Sequence, residues 1–288
     1  MKVLGAIAAV VVVAIATWRI SDAVRGDYSY RQRDASFAAT WSPDGSRLAF
    51  MSTHLHMTSN FKTWVTRKRD KTYVWVVDAS GRTARKLAHG ADPSWLRDGK
   101  RIAFNLFEGD ATVPAVVNAD GSGLRKLASW PVTSTPDLTQ PVKSPDGRLA
   151  AVEHERRQTD EHDPAMWIDI VTSSGKRVAS SLPARIRRGV WPFHEADPRW
   201  SPNGRTLAFV RTCCGRPGSG IYVMSRDGTG RRRLAKFGTH PRWSPDGRRI
   251  AFETPAWSYT DRPHRYDDGA IYVVNADGTG LRRVSPKP

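Results

Sequence analysis

The sequence predicts an all-β protein, a propeller of five four-stranded blades. Three observations predict it: two motifs recur five times in alternation, both carry hairpin turns, and the chain is too finely punctuated for long helices. The 288 residues include 23 Gly and 19 Pro, a density that marks many turns and few long helices. The turn glycines Gly45, Gly99, Gly147, Gly204 and Gly247 lie 43 to 57 residues apart, the period of a propeller blade.

The first motif reads ATWSPDGSRLAF at 39–50. It returns as PSWLRDGKRIAF at 93–104, PVKSPDGRLAAV at 141–152, PRWSPNGRTLAF at 198–209 and PRWSPDGRRIAF at 241–252. A β-run ends at the Trp-Ser, Pro-Asp-Gly turns the chain, and a return strand such as RIAF alternates in polarity. The second motif follows each copy: YVWVVDASGRTARKLA at 73–88, PAVVNADGSGLRKLA at 114–128, WIDIVTSSGKRVAS at 167–180, IYVMSRDGTGRRRLA at 221–235 and IYVVNADGTGLRRVS at 271–285. Its first half is apolar on both faces, as an interior strand is, and Asp-Gly or Ser-Gly turns it into a basic fourth strand.

The paired WSPDGxxIAF and IYVVNADGTGxxRL elements resemble the TolB-like, or PD40, branch of WD40-like propellers, over about 38–285. The resemblance implies a scaffold fold that serves binding proteins and enzymes alike. TolB itself carries a further N-terminal domain, for which only about 20 residues are present here, so the chain is not expected to be TolB proper. Three departures stand out: Leu96-Arg97 for Ser-Pro, Lys143 for the repeat Trp, and Ala39 for the repeat Pro. The units number five, with an incomplete six-bladed ring as the alternative.

The expected organisation is an export segment at 1–20, a linker at 21–37 and the propeller at 38–288. Residues 3–16 form an apolar run of fourteen after Lys2, short for a membrane-spanning helix and right for the core of a signal peptide. Ala14-Ile15-Ala16 supplies a cleavage site, and a short uncleaved anchor helix is the alternative. Either places the propeller outside the cytoplasm. There, the net charge of +17 (45 Lys+Arg against 28 Asp+Glu) points away from nucleic acid, towards anionic envelope polymers or the membrane surface. Basic fourth strands such as Arg85-Lys86, Arg125-Lys126, Arg231-Arg232-Arg233 and Arg282-Arg283 also serve simply to keep sheet edges from aggregating.

Strand order puts the two glycine turns of each blade on one face and the long segments 51–72, 153–165, 180–197 and 253–269 on the other, where binding is expected. All eight histidines are expected on that loop face. Residues preceding the repeat Pro begin the innermost strands, so Ala38, Asp92, Gln140, Asp197 and His240 should converge at the channel mouth, with His194 and Glu195 as neighbours. A polar ring there fits a ligand site; Asp-Pro and His-Pro also simply start strands and cap amides. Trp41, Trp95, Trp200 and Trp243 share one repeat position and are expected to pack between blades. Trp64, Trp191, Trp257 and Tyr259 lie in long loops and suit sugar or peptide recognition, or else staple their own loops. His54 and His56 point to one side of an extended strand and offer two ligands to a divalent metal, the one cofactor considered. Cys213 and Cys214 are adjacent and suit a vicinal disulfide or a pairing between chains.

No GxSxG, HExxH, P-loop or GxGxxG motif is present. The sequence therefore favours a non-enzymatic exported scaffold binding a protein or glycan of the cell envelope through its loop face. A metal-dependent lyase or hydrolase acting on acidic polysaccharide at the channel mouth is the alternative.

Overall fold

The computed structural model describes residues 33–56, 66–131, 141–156, 165–181, 194–212, 218–254 and 269–286. The expected export segment lies outside the described residues, as do Gln140, Trp64, Trp191, Trp257, Tyr259, Cys213, Cys214 and the side chain of His56. Every regular element among the described residues is a strand.

The first repeat comprises β1 (Arg33–Trp41), β2 (Arg47–His56), β3 (Thr66–Asp78) and β4 (Ala84–Trp95). Strand β4 runs without a break from the outer edge of the first repeat to the inner strand of the second, which continues as β5 (Arg101–Glu108), β6 (Ala111–Asn118) and β7 (Arg125–Lys126). The third holds β8 (Val142–Lys143), β9 (Leu149–Arg156), β10 (Ala165–Thr172) and β11 (Arg177–Ser180). The fourth holds β12 (His194–Trp200), β13 (Thr206–Thr212), β14 (Gly220–Ser225) and β15 (Arg232–Ala235), and the fifth β16 (Thr239–Trp243), β17 (Arg249–Glu253), β18 (Ile271–Asn275) and β19 (Arg282–Arg283). Within each repeat the strands pair antiparallel in sequence order. This is the all-β propeller architecture that the repeats predict.

The SPDG turn shows why the motif recurs. Ser42 Oγ accepts from the Arg47 amide at 3.0 Å and donates to Asp44 Oδ1 at 2.5 Å, so one buried hydroxyl closes the hairpin mouth. Ser144, Ser201 and Ser244 do the same for their turns. Ser42 and the turn amides hold the Asp44 pKa down at about 2, so this turn loses its carboxylate bonds only in strong acid.

Cores form between repeats rather than within them. Ala49, Val74 and Val76 of the first repeat pack on Trp95, Ile102 and Phe104 of the second. The third packs on the fourth, the fourth on the fifth, and Ala251, Ile271 and Val273 of the fifth pack on Trp41, Leu48 and Phe50 of the first. Each repeat tryptophan donates its indole N–H to the inner strand of the preceding repeat: Trp95 to Thr40 O, Trp200 to Val142 O, Trp243 to Arg199 O and Trp41 to Arg242 O, at 3.0–3.2 Å. The last bond links the fifth repeat to the first, so the array closes where the two ends of the repeat region meet.

Arginines reinforce these junctions. Arg47 reaches Gly99 O at 2.8 Å and Arg249 reaches Gly45 O at 2.9 Å, each lying over the tryptophan of the next repeat. From the basic fourth strands, Arg85 donates to Asp120 O, Arg232 to Ala276 O and Arg282 to Ala79 O. Part of the positive charge thus has a structural use, as a row of clasps between neighbours.

The junction between the second and third repeats departs from this pattern. Lys143 replaces the tryptophan and is exposed. Arg101 turns back onto Asp98 of its own hairpin, at 2.6 Å. The Arg125 guanidinium has no partner among the described residues, whereas its counterparts Arg85, Arg232 and Arg282 all clasp a neighbour. Gly45, Gly99, Gly204 and Gly247 each abut a turn proline of the preceding repeat; no described atom outside their own turns lies within 4 Å of the side-chain positions of Gly147 and Gly175.

Candidate functional site

The residues before the repeat proline share an unexpected backbone state. Ala38, Asp92, Asp197 and His240 have φ of 55°, 54°, 55° and 52°, in the left-handed region. Each sits at a break in register with the second strand of its repeat: between Phe37 and Thr40, Ala91 and Ser94, Ala196 and Arg199, and Thr239 and Arg242. Each is therefore a bulge that re-aims the start of an inner strand. Asp, Asn and His tolerate positive φ better than other residues with a side chain, which is a conformational reason for Asp-Pro and His-Pro here. Ala38 has no such advantage, and it is exposed. Ala38→Gly is expected to raise the unfolding free energy by up to about 1 kcal/mol by relieving the left-handed strain, read as a higher denaturant midpoint.

One position on the second strand, occupied by Met51, Asn105, Glu153, Val210 and Glu253, reaches the bulges where its side chain is polar. Asn105 Nδ2 donates to Asp92 Oδ2 at 3.1 Å. Glu153 accepts the Asp197 amide at 2.6 Å, crossing from the third repeat to the fourth. Glu253 accepts the Ala39 amide at 3.4 Å, crossing from the fifth to the first. That second bond exists because Ala39 replaces the repeat proline and so retains an N–H.

Arg199 and Arg242, one residue beyond the repeat proline, complete the cluster. Arg199 Nη2 pairs with Asp197 Oδ1, and Arg242 Nη1 lies 3.9 Å from the same oxygen. His240 Nδ1 lies 3.3 Å from Glu253 Oε2. Asp197 Oδ2 and Arg199 Nε are buried and have no hydrogen-bond partner among the described residues, which is uncommon for such groups. An acceptor and a donor without partners among the described residues, on two side chains that pair with each other, suit a ligand that presents both, such as a hydroxyl or an amide.

The electrostatics are those of a half-enclosed charge network. Burial raises the Glu153 pKa above its ordinary value, only partly offset by the Asp197 amide and Arg199. Burial disfavours the His240 imidazolium, yet the hydrogen bond and charge of Glu253 outweigh it and raise the pKa. Burial equally disfavours the Glu253 carboxylate, and His240 and Arg242 hold its pKa below the ordinary value. The imidazole remains 45% exposed, so solvent screens part of the attraction. A histidine with a raised folded pKa contributes fully below about pH 6.5, and that contribution is lost as pH rises through the folded value. A glutamate with a depressed pKa contributes fully above about pH 4.3 and loses it as pH falls through the folded value. The pair is thus complete between about pH 4.5 and 6.5. His240→Asn is expected to flatten the alkaline side of a melting-temperature profile and, because His240 helps to hold the Glu253 pKa down, to move the acid-side loss of the Glu253 contribution to higher pH.

Among the expected site residues, Asp92, Asp197 and His240 occupy equivalent bulges, and Asp197 and His240 join one network. Glu195 does not: it is 2% exposed and is held by Arg211 at 3.3 Å and Arg231 at 3.1 Å. His194 is buried at the start of β12, opposite Met166. His54 pairs in register with Lys68 and Asp34, and His56 ends the same strand. Six histidines, His54, His56, His89, His154, His194 and His240, lie within strands, because the strands run beyond the repeat motif into segments that the motif does not cover. Among the described residues, no three His, Cys, Asp or Glu side chains meet closely enough to hold a metal ion. Sequence reasoning missed Glu153, Glu253, Arg199 and Arg242. Their signal was present as carboxylates at one position of an otherwise apolar strand, and as the Arg of two PRW triplets.

No family model matches the chain. Among curated proteins it is 30% identical over 100 residues to the Tol-Pal system protein TolB of Anaeromyxobacter dehalogenans (strain 2CP-C), a match covering 35% of this chain and 20% of that protein. The repeats are TolB-like. The TolB-like chain is not TolB itself, and it is also 34% identical over 200 residues to the uncharacterized peptidase YuxL of Bacillus subtilis (strain 168), covering 59% of this chain and 28% of that protein. It therefore spans less than a third of the length of these curated relatives. Solved structures that align with it include TolB from Acinetobacter baumannii (16% identity, 85% of this chain and 53% of that one, TM-score 0.31) and oligogalacturonate lyase from Vibrio parahaemolyticus (14%, 88% and 78%, TM-score 0.36).

Proposed function

We propose that this TolB-like protein is an exported, five-bladed binding scaffold that holds a protein or glycan of the cell envelope at the axial cluster of Glu153, Asp197, Arg199, His240, Arg242 and Glu253. The observation that carries the reading is the pair of buried, unpartnered atoms Asp197 Oδ2 and Arg199 Nε, placed where separate repeats converge. A satisfied structural cluster would leave neither atom without a partner. The apolar run at 3–16 supports export, and the absence of sequence motifs for nucleophilic or hydrolytic chemistry supports binding rather than turnover.

The test is a glycan array and an immobilised envelope-protein panel probed with the purified repeat region and with an Arg199→Gln variant of unchanged melting temperature. The expected result is a signal that the variant loses by at least about tenfold, the scale of one charge-assisted bond. Equal binding by both proteins would overturn the site assignment. Chain cleavage of an acidic polysaccharide, seen as new unsaturated ends in the presence of a divalent metal, would replace the scaffold reading with a lyase.

A further inference from the structure

We propose that the junction between the second and third repeats, which among the described residues lacks the tryptophan and arginine contacts of the others, is a docking surface for an acidic segment of a partner polypeptide. At the other four junctions the later repeat presents a tryptophan and large apolar side chains to the earlier one. In the fourth repeat these are Trp200, Leu207, Phe209, Tyr222 and Met224, all in the core shared with the third. The corresponding residues of the third repeat, by strand register, are Lys143, Ala150, Val152, Asp169 and Val171. Lys143 is exposed, and Ala150, Val152 and Val171 are only half-buried. The aromatic pairs Phe50–Trp75, Phe209–Tyr222 and Phe252–Tyr272 have Val152 and Asp169 as their counterpart.

The second repeat matches this. Arg97 replaces the proline that abuts the next turn elsewhere, and Arg125 occupies the clasp position with nothing to clasp among the described residues. Lys176 lies beside Gly175, whose side-chain position is open. Arg97, Arg125, Lys143 and Lys176 are exposed, and none pairs with a carboxylate among the described residues. Asp169, the acid on this face, is already engaged by Ser180 at 2.5 Å, by His154 at 3.4 Å and by Arg177 at 3.8 Å. Among the described residues the junction therefore carries unpaired positive charges together with half-buried apolar groups. Carboxylates alternating with small apolar side chains complement it, which is the chemistry of an acidic polypeptide; a polysaccharide would supply the carboxylates and leave Val152 and Val171 unmatched.

The test uses the full chain and a fluorescein-labelled peptide of alternating Glu and Val, followed by anisotropy at low and physiological ionic strength. The expected result is one peptide per chain, with affinity falling as salt rises and at least about tenfold weaker for the Arg125→Glu, Lys143→Glu variant. A second variant, Arg97→Pro with Lys143→Trp, restores the residues that close the other junctions. It is expected to raise the melting temperature and to exclude the peptide. Equal binding of a Lys-Val peptide, or binding untouched by both variants, would overturn the proposal. Binding of polygalacturonate in place of the peptide would assign the surface to a polysaccharide. Self-association abolished by the closing variant would assign it to a second copy of the chain. Arg199→Gln leaves the peptide bound in the expected case, so failure here is separable from failure of the axial-site reading.

Discussion

Trp95→Ala is expected to lower the stability of the repeat array by about 3–5 kcal/mol, the range for truncating a large aromatic in a packed core. The Trp95 side chain is fully buried between the first two repeats, among Ala49, Val74, Val76, Ile102 and Phe104. Its indole N–H bonds to Thr40 O at 3.2 Å, and Arg47 lies 4.9 Å above its ring. Alanine removes the packing, leaves Thr40 O without that donor, and exposes one flank of the arginine clasp. Because stability in a repeat array is carried by nearest-neighbour interfaces, the first unfolding transition should report the loss. The control is Lys143→Ala at the equivalent position, where the change is expected to stay within about 0.5 kcal/mol. Equal effects at the two positions would refute the view that the tryptophan junctions hold the array together.

The second large effect is expected at Glu195. Its carboxylate is almost wholly enclosed by Arg211 and Arg231, whose side chains are 14% and 24% exposed. Arg231 also donates to Ser181 O, so the group ties the third repeat to the fourth. Burial raises the Glu195 pKa above its ordinary value, with Arg231, Ser181 and Arg211 opposing that rise. Such a pair adds little net stability against a well-packed apolar replacement, yet removing one member strands the other. Glu195→Ala leaves two half-enclosed guanidinium groups without their carboxylate and is expected to cost about 3–5 kcal/mol. Melting followed by near-ultraviolet dichroism would show it as early loss of tertiary signal. If the variant instead kept its stability and lost a bound ligand, Glu195 would belong to the binding site, as its place beside Asp197 in the sequence suggested.

The cases of Glu195 and Glu153 show where sequence reading stops. Glu195 lies two residues from Asp197 in the sequence, but its partners are Arg211 on the adjacent strand and Arg231 from a fourth-strand cluster. Glu153 lies 44 residues from Asp197 and bonds its amide. Alternation along a strand says which residues share a face of one sheet, not which sheets meet across that face. The bulge before each proline was equally hidden. Asp-Pro and His-Pro mark a strand start in any β protein, and only the register break with the second strand reveals the left-handed residue between.

The sequence by itself determined the all-β class, the TolB-like repeat, the turn chemistry of SPDG and the role of the tryptophan position. These rest on local pattern: a period of two along strands, a fixed spacing of Pro, Asp and Gly at turns, and one large apolar residue per repeat. It also marked Lys143, Leu96-Arg97 and Ala39 as departures without saying what they do. Tertiary structure decided that. Ala39 offers its amide to Glu253, 214 residues away, because the last repeat packs against the first. Lys143 and Arg97 stand where the other junctions have the tryptophan and the turn proline, and among the described residues nothing replaces the contacts that those residues make elsewhere. A residue's departure from a repeat acquires meaning only from its neighbour in space, and in a closed array that neighbour is set by packing between units far apart in the chain.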